Sequence, residues 1–575
     1  MTECFGIDLG TTNSVIARLT DGKPLPIAID GSPIVPSVVL FQDDRIVVGR
    51  EARNLELLYP ERAVHSSKRK MGQAHQYQVG NRTVVPEEVA AQVLRTLAAG
   101  AGETIGEPVR DVVITVPAYF DDAQRRATLR AGELAELNVL RLLNEPTSAA
   151  LVYDQVGAAM LGDRPEIVLV YDLGGGTFDV SVLEVFKGVR EVRAIAGNTA
   201  LGGDDFDEQL VRFFLTELRR NKAVDPTDDP RAMARLRRLA EDTKIRLSSA
   251  TSVRVREDFL TSQNGTTINL DVEVTRRQFE EMIDPYLRDA MALTHKAVAD
   301  ARLGDQPIDR ICLVGGSTRI PMVRALLEDE YKVVVHEEVD PDLAVGLGAA
   351  VQAGLLQGVP IERILVDVAA HTLGVKSLGP SDEHFADTFA PVLRRNTVLP
   401  ASRVEEFYTL VENQKEVDVE VFQGEAARAS QNQRVGAFAF KLESRPANSP
   451  VSIEFSYDLN GVVKVSASQP NIGNSKTVAL RVADAGAGAQ ETAAVPDGVL
   501  ERRARALLER LEGSAKKELS VLLVELAAAK GENREDVEER LLDFFMEHDS
   551  ASEDEDEDGD GDEGKGKGKC EGDEV

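Results

Sequence analysis

The chain has 575 residues, 43% of them hydrophobic and 28% charged, which is enough for several domains with sizeable cores. No stretch approaches twenty consecutive apolar residues, which excludes a membrane span, and no basic and apolar leader precedes the first predicted strand. Three scattered cysteines, Cys4, Cys312 and Cys570, form neither a disulfide framework nor a zinc site. They are typical of a reducing compartment, and we expect a cytoplasmic protein.

The formal charge of −31 is spread unevenly along the chain. Residues 549–575 contain 13 acidic side chains and 3 lysines, so this tail carries −10 and the rest of the chain −21. A surface of this sign repels phosphate backbones, which argues against nucleic acid as a partner. The low complexity of the tail predicts that it is disordered.

Up to residue 358, apolar strands alternate with helical periods, which predicts an α/β domain over 1–358. The predicted strands include 111–116, 167–172 and 310–314, and the helical periods fall at 121–137, 204–220, 230–248, 275–303 and 341–357. Gly358 and Pro360 then break the pattern. Residues 359–370, which contain a short apolar strip, are predicted to be a linker between domains.

After the linker the pattern changes to strict alternation, with Val417, Val419 and Val421 on one face of a strand. Asn460-Gly461 joins two further alternating runs, which is a strong hairpin signal. We therefore predict an all-β domain over 371–484. A flexible Gly/Ala-rich connector at 485–496, a short amphipathic helical module at 497–548 and the acidic tail complete the predicted organisation.

Two distant segments have the same design, namely GIDLGTTNSVIARL at 6–19 and YDLGGGTFDVSVLE at 171–184. In each, an apolar run ends in an aspartate, Asp8 or Asp172, and a turn of small residues leads into a second apolar run. Such a turn leaves backbone N–H groups unpaired and lets a phosphate approach closely. Two turns facing each other would hold a polyphosphate from both sides, so the sequence predicts a nucleotide site.

The two aspartates have a separate role in this hypothesis. Mg²⁺ prefers octahedral oxygen ligation, keeps several waters and uses few carboxylates beside the phosphates. Asp8 and Asp172 would hold a hydrated Mg²⁺ between the turns. Capping of a strand end would explain one aspartate but not the matched pair.

Two further patterns are weaker when taken alone. LVGGSTRIPMV at 313–323 runs from a strand through two glycines into a helix, which suits contact with adenosine but also occurs in simple packing. Glu241, Lys244 and Ser248 lie at i, i+3 and i+7 on one helix face. On spacing alone, that face is better interpreted as solvated, with an ordinary ion pair.

Together these segments resemble the family of seventy-kilodalton heat-shock chaperones over about residues 3–484. The segments that carry the resemblance, in chain order, are GIDLGTTNS, VITVPAYFDDAQRRAT, NEPTSAALVY, YDLGGGTFDVS, LGGDDFD, KIRLSSA and LVGGSTRIPMV. The resemblance implies a two-lobed α/β actin-like ATPase domain with duplicated phosphate-binding hairpins, followed by a β-sandwich peptide-binding domain and a short α-helical lid. It also implies an ATP-dependent chaperone that binds exposed hydrophobic segments of unfolded proteins, open with ATP and closed with ADP.

The resemblance assigns roles in the ATP site position by position, with ATP and Mg²⁺ as cofactors and K⁺ as a further candidate. The implied metal ligands are Asp8 and Asp172, and the implied catalytic residues are Lys68, Glu145, Thr177 and Asp179. The implied nucleotide-binding residues are Gly10, Thr11, Thr12, Asn13, Gly174, Gly175, Gly176, Thr177, Gly202, Gly203, Glu241, Lys244, Ser248, Gly315, Gly316, Ser317, Arg319 and Asp342. Without the resemblance, Lys68 in its basic run would be interpreted as a surface residue.

The resemblance also implies a peptide cleft and a path between the domains. The cleft would be formed by Val375, Leu378, Phe407, Leu410, Val417, Val419 and Val462, although alternation alone favours sandwich core for each. The coupling residues would be Pro117, Arg125, Arg141, Asn144 and Asp367. The implied partners are unfolded or extended hydrophobic peptides and a J-domain co-chaperone, the use of a nucleotide exchange factor stays open, and we expect a monomer.

Some segments depart from the family pattern. The chain is short between Gly72 and Val84, Arg363 occupies a linker position that is usually apolar, and Leu410 stands where a small residue is common. A specialised member with weak coupling between its domains is therefore one alternative. An actin-like filament protein and a sugar kinase are two others, and the linker and the β domain argue against both.

Overall fold

The computed structural model describes residues 4–157, 165–186, 188–222, 224–263, 266–333, 335–336, 339–361, 364–377, 387–458, 460–470, 472–479 and 513–528, together with 537, 540 and 544. The chain divides into two compact units, Met1–Gln490 and Glu491–Val575. The predicted connector at 485–496 and the acidic tail at 549–575 lie outside the described residues, as does Arg363.

The first sheet of the larger unit lies within residues 4–144. The strands of this segment are β1 (Cys4–Asp8), β2 (Asn13–Thr20), β3 (Lys23–Pro26), β4 (Val35–Pro36), β5 (Val39–Phe41), β6 (Ile46–Val48), β7 (Ala63–Val64), β8 (Tyr77–Val79), β9 (Arg82–Val84), β10 (Asp111–Val116) and β11 (Asn138–Asn144). Its helices are α1 (Arg50–Leu55), α2 (Pro86–Ile105) and α3 (Asp122–Leu134). The sheet has the order β11-β10-β1-β2-β3, with β4 also paired to β2.

The second sheet is built from residues 166–368. The strands of this segment are β12 (Glu166–Leu173), β13 (Phe178–Phe186), β14 (Val189–Asn198), β15 (Ser252–Gln263), β16 (Thr266–Thr275), β17 (Arg310–Val314), β18 (Val335–His336) and β19 (Ile364–Val368). Of these, β15 and β16 form a separate two-stranded sheet. The helices are α4 (Glu145–Gly157), α5 (Gly203–Lys222), α6 (Pro230–Leu247), α7 (Arg276–Asp300), α8 (Pro321–Tyr331) and α9 (Ala344–Leu356). Each predicted helical period contains one of the helices α3, α5, α6, α7 or α9, which confirms the α/β pattern.

The two predicted strand–turn–strand segments are both antiparallel hairpins with the same register. Asp8 lies opposite Val15 in the β1–β2 pair, and Asp172 lies opposite Asp179 in the β12–β13 pair. In both cases the aspartate faces the residue seven positions later. Each first strand also pairs in parallel with a second one, β1 with β10 and β12 with β17. The duplication visible in the sequence is therefore also present in the backbone.

Residues 373–479 form two antiparallel four-stranded sheets. The strands of this segment are β20 (Leu373–Ser377), β21 (Thr388–Leu393), β22 (Val398–Leu399), β23 (Ala401–Tyr408), β24 (Glu416–Gln423), β25 (Gln433–Lys441), β26 (Pro450–Tyr457), β27 (Val463–Gln469) and β28 (Asn474–Ala479). Of these, β22 is the last strand of the second sheet, and the other eight form the two four-stranded sheets. The sheet orders are β21-β20-β24-β25 and β23-β26-β27-β28, and one apolar core contains side chains from both sheets. Tyr457 pairs with Val463 across the predicted Asn460-Gly461 turn. We call residues 364–479 the β-rich region and residues 4–361 the α/β region.

The segment predicted as a linker is in part a strand. β19 pairs in parallel with β14, through Val189 and Ile364, and antiparallel with β22, through Asp367 and Leu399. The second sheet therefore continues from β14 through β19 into the β-rich region.

The smaller unit contains one described helix, α10 (Gly513–Ala528), within the predicted helical module at 497–548. Leu519, Leu522 and Leu526 are buried, which is the spacing of an amphipathic helix. Most of the other residues of the predicted lid lie outside the described part of the chain. Among the described residues, no helix is both long enough and apolar enough to cross a membrane.

We predict that the start of α6 depends on Asp229. The Asp229 carboxylate accepts hydrogen bonds from the Arg231 and Ala232 backbone N–H groups, both at 3.1 Å, and Pro230 occupies the first helical position. Asp229→Ala should therefore lower the stability of this helix by about 1 kcal/mol, measured by hydrogen exchange of the α6 amides. Asp228→Ala, one residue earlier, is the matched control, and equal exchange in both variants would contradict the prediction.

Candidate nucleotide site

The two hairpin turns are closed by short backbone contacts. In the second turn, the Gly174 N–H donates to the Thr177 carbonyl at 3.1 Å. In the first, the Gly10 N–H donates to Ser14 Oγ at 3.2 Å, and a Cβ added to Gly10 would lie 1.9 Å from the Asn13 carbonyl oxygen. Residue 10 therefore has to be glycine for the turn to keep this shape.

The two turns also touch each other. A Cβ added to Gly175 would lie 1.8 Å from Thr12 Oγ1, and one added to Gly176 would lie 2.4 Å from Thr11 Cγ2. These glycines allow the backbone of one turn to approach the threonine hydroxyls of the other. The expectation that the turns face each other across one cleft agrees with this geometry.

A group of buried carboxyls lies at the base of this cleft. Burial, and then repulsion by Glu145, raises the pKa of Asp8 to about 7. The same two causes raise the pKa of Asp172 and of Asp179 well above the ordinary value. Thr115 Oγ1 donates to Asp8 at 3.1 Å, and the Tyr119 N–H donates to Asp179 at 3.0 Å.

Lys68 is the cation that faces these carboxyls, and it lowers the pKa of Asp8, Asp172 and Asp179. Its ammonium group forms an ion pair with Glu145 in which both side chains are less than a tenth exposed. A lysine in a basic run would ordinarily lie at the surface, so the burial of Lys68 could not have been predicted from residue spacing.

Three separate segments meet at the Gly174 carbonyl of the second turn. The Gly203 N–H donates to it at 3.0 Å and Ser317 Oγ donates to it at 2.9 Å. Gly202 lies against the same turn, because an added Cβ would be 2.6 Å from the Gly175 carbonyl carbon. The glycine motif at 202–203 and the third pattern at 313–323 are therefore parts of one site.

The third pattern has the predicted strand, turn and helix. Gly315 has φ +80°, and a Cβ there would lie 2.5 Å from the Leu173 carbonyl oxygen. A Cβ added to Gly316 would lie 2.8 Å from Asp342 Oδ1, and Arg319 pairs with Asp342 at 2.9 Å. The backbone is thus open to close approach, while Arg319 is held at the edge of the turn.

Glu241, Lys244 and Ser248 share one face of α6 and its end, as predicted, but Glu241 and Lys244 have separate partners. Glu241 forms an ion pair with Arg53 of α1. Lys244 pairs with Asp207 at 2.6 Å and donates to the Gly203 carbonyl at 3.1 Å. Ser248 Oγ donates back to the Lys244 carbonyl at 3.4 Å. Lys244 therefore connects α6 to the start of α5, where the Gly203 N–H donates to the Gly174 carbonyl of the second turn.

The Arg53–Glu241 ion pair connects α1, which packs beside β5 and β6, to α6, which packs beside α5 and β15. Arg53 and Asn13 both line a cavity of about 340 Å³. Sequence reasoning missed Arg53, because nothing in a short helix indicates which distant residue it reaches.

Four other polar residues of the site, Ser66, Arg69, Asp204 and Asp205, were missed by sequence reasoning. Asp204 accepts hydrogen bonds from Ser66 Oγ at 2.6 Å and from Thr12 Oγ1 at 3.5 Å. Arg69 pairs with Asp205 and donates to the Gly176 carbonyl at 2.9 Å. The acidic pair inside LGGDDFD, next to a predicted phosphate turn, was the signal that could have indicated these contacts.

Four of the five expected coupling residues form one buried network between the nucleotide cleft and β19. Arg125 donates to Asn144 Oδ1 at 2.7 Å, and Asn144 donates to Asp367 at 2.8 Å. Burial raises the pKa of Asp367, and the neighbouring Arg141 and Arg125 guanidinium groups oppose that rise. Pro117 follows β10 and accepts a hydrogen bond from the Phe120 N–H at 3.1 Å.

Most of the residues expected to bind peptide belong to the core of the β-rich region. Val375 and Val419 are buried in the core that the two four-stranded sheets share. Phe407 and Val417 are partly buried against the same core. The structure therefore brings these four side chains together, in the arrangement that alternation alone favours.

The remaining peptide-binding candidates differ in exposure. Val462 is buried immediately before β27, whereas Leu410, just after β23, is 66% exposed. Val411 next to Leu410 is also exposed. Leu378 lies outside the described residues. Leu410 and Val411 are thus two adjacent apolar side chains at the surface.

The residues of the cleft fit a magnesium nucleotide. Asp8 and Asp172 are hard oxygen donors, and repulsion among the buried carboxyls indicates a place where a divalent cation would be stabilised. The threonine hydroxyls and backbone groups of the two turns are suitable donors for phosphate oxygens. Duplicated hairpins in two sheets, with this donor set between them, are typical of the actin-like ATPase fold class.

A model of the protein family described as Hsp70 protein matches residues 4–562, which is nearly the whole chain. The chain therefore belongs to the Hsp70 family, as the sequence motifs indicated. Members of this family are chaperones that bind ATP with Mg²⁺ and hydrolyse it, and their fold combines an actin-like ATPase with a β-rich domain.

We predict that the Arg53–Glu241 ion pair slows nucleotide release. Both side chains are about one-fifth exposed, and a pair of this kind contributes about 1 kcal/mol. Arg53→Ala should therefore accelerate dissociation of a fluorescent ADP analogue about fivefold in stopped-flow measurements. Glu51→Ala, at an exposed position on the same helix, should leave the rate unchanged, and equal acceleration in both variants would refute the role of the pair.

Proposed function

We propose that the protein hydrolyses ATP in the cleft between the two turns and uses the nucleotide state to control peptide binding by its β-rich region. The observation that carries the proposal is the buried Lys68–Glu145 ion pair, next to Asp179 and the facing turns. Burying charged groups is energetically unfavourable, and such buried charges are typical of a site that stabilises charge during a reaction.

In this proposal each group in the cleft has its own task. Lys68 stabilises the charge that develops on the γ-phosphate, and the Thr177 hydroxyl binds a phosphate oxygen. Glu145 and Asp179 accept the protons of the attacking water and orient it. Mg²⁺, held by Asp8 and Asp172, supplies charge neutralisation on the phosphates, and K⁺ is a further candidate ion.

Contacts between the α/β and β-rich regions support coupling between nucleotide and peptide. The Arg126 guanidinium donates to the Val463 carbonyl at 2.8 Å, and the Val463 N–H donates to Asp122 at 3.0 Å. Arg125 donates to the Asn460 carbonyl at 3.3 Å, and Arg395 forms a bidentate ion pair with Asp300 at 2.6 and 2.8 Å. A ligand that changes either region would change these contacts, which makes the coupling reciprocal.

The partners follow from the same hypothesis. Extended hydrophobic peptides would bind the β-rich region near Leu410, with backbone hydrogen bonds supplying much of the affinity. A J-domain co-chaperone would act near Arg141, Asn144 and Asp367. We expect the protein to be a cytoplasmic monomer, and whether it uses a nucleotide exchange factor stays open.

We predict that Lys68→Ala lowers the single-turnover rate of ATP hydrolysis about 10²- to 10³-fold, because one stabilising charge is lost in the transition state. Lys70→Ala is the matched control, since Lys70 belongs to the same basic run but is exposed. The rate is measured by the conversion of labelled ATP at saturating protein. A Lys68→Ala variant with wild-type hydrolysis and intact nucleotide binding would remove Lys68 from the mechanism.

We predict that Leu410→Asp weakens the binding of a fluorescent aliphatic peptide at least tenfold. Burying one leucine contributes about 1.5–3 kcal/mol, and a carboxylate reverses that contribution. Fluorescence anisotropy in the presence of ADP measures the affinity. Val404→Asp, which changes an exposed valine in β23, is the control. Unchanged affinity together with a normal rate of ATP hydrolysis would show that peptides do not bind at Leu410.

A further inference from the structure

His371 connects the β-rich region to the nucleotide cleft through one residue. It lies between β19 and β20, and its Nε2–H donates to the Tyr119 carbonyl at 3.0 Å. The two rings also pack together, with centroids 4.2 Å apart at 60°. Tyr119 belongs to the loop between β10 and α3, so this contact joins the two regions.

Tyr119 also contacts the nucleotide cleft directly. Its N–H donates to Asp179 Oδ1 at 3.0 Å and opposes the burial that raises the pKa of that carboxyl. A Cβ added to Gly197 would lie 2.6 Å from Asp179 Oδ1 and 2.9 Å from Tyr119 Cβ, so the three groups are closely packed. A shift of the Tyr119 backbone would therefore move the donor that holds Asp179.

We propose that His371 is a positioning residue for Asp179, which it holds in place from the β-rich region through the backbone of Tyr119. The inference rests on the proposed function, because Asp179 acts in ATP hydrolysis there. It adds a residue to that function, since none of the sequence motifs includes His371. His371 touches neither the phosphate turns nor the metal-binding aspartates, and its effect is exerted through Tyr119.

The hydrogen bond fixes the tautomer of the neutral ring, whereas burial of the ring, and not the hydrogen bond, favours the neutral form. Nε2 carries the proton that is donated to the carbonyl, and the neutral imidazole satisfies this geometry. Burial lowers the pKa of His371, the Tyr119 carbonyl opposes that change, and Asp121, Arg125 and Glu425 are the other charged groups that face the ring. Arg125 favours the neutral form, while the two carboxylates favour the charged one.

Acidification therefore weakens the contact. A histidine released from the contact takes up its second proton near pH 6.5, whereas the docked ring holds that proton more weakly. The contact is at full strength above this pH and loses strength as the pH falls below it, until the docked ring itself is protonated. Between pH 7.5 and pH 5.5 the equilibrium for docking should fall, by at most about tenfold.

The test compares the wild type with His371→Leu and His371→Gln. Leucine removes the donor, while a glutamine amide can donate to the Tyr119 carbonyl without ever becoming charged. At pH 7.5 we expect single-turnover ATP hydrolysis to slow several-fold in His371→Leu and to be largely restored in His371→Gln. Unfolding midpoints and ADP affinity, measured for each variant, show whether the chain is correctly folded.

The pH profile is a readout that a purely structural role would not change. The experiment measures the rate of peptide dissociation from pH 8 to pH 5.5, once with ATP and once with ADP, and takes the ratio of the ATP rate to the ADP rate. In the wild type this ratio should fall up to about tenfold below pH 6.5, and in His371→Gln it should stay flat. His295→Gln is the matched control, because His295 is an exposed histidine paired with Glu330 at 2.9 Å.

The outcomes separate this inference from the proposed function. A wild type that hydrolyses ATP, with equal rates in the leucine and glutamine variants and identical pH profiles, would overturn the role of His371 alone. A wild type that hydrolyses no ATP would overturn both. Slow hydrolysis in His371→Leu that glutamine restores would support the positioning role even if peptide release showed no response to ATP.

Discussion

The burial of several carboxyls around a single lysine is the constraint on which the nucleotide site depends. Asp8, Asp172 and Asp179 are buried away from water, and repulsion by Glu145 further raises the pKa of each of them. Without a bound cation this arrangement costs free energy, because ion–ion repulsion and desolvation act in the same direction. A magnesium nucleotide would relieve both, so the same charges that destabilise the empty cleft would give it affinity.

The glycines around this cleft allow its turns to approach one another closely. Gly175 and Gly176 lie against Thr12 and Thr11, and the Gly174 carbonyl accepts hydrogen bonds from two other segments. Each contact depends on another turn being in place, so the phosphate turns, the third glycine turn and α6 form a single cooperative structure. A change in one lobe is therefore expected to alter the position of the other, which is the property that a nucleotide-controlled protein requires.

The sequence predicted what depends on local backbone geometry and missed what depends on tertiary contacts. The twin hairpins could be predicted because a turn of glycines and small residues has few conformations, and the helices because their apolar residues recur at helical spacing. Glu241 and Lys244 were expected to form an ordinary pair, yet each finds a partner on another segment. Lys68 was identified through the family motif, since burial of one lysine in a basic run leaves no periodic signal. Alternation could not separate the residues expected to bind peptide from the core, because both would lie on the same face of a strand.

Three contacts between the α/β and β-rich regions are made by backbone groups of the β-rich region. The Asn460 carbonyl and both polar backbone atoms of Val463 are bound by Arg125, Arg126 and Asp122. These atoms flank and begin β27, a strand whose hydrogen bonds to β26 fix their direction. Bonds to backbone atoms are sensitive to the twist and position of a strand rather than to the identity of its side chains. A peptide that changes the geometry of this sheet would therefore change several of these bonds together, and the buried path through Arg125, Asn144 and Asp367 would carry that change to the nucleotide cleft.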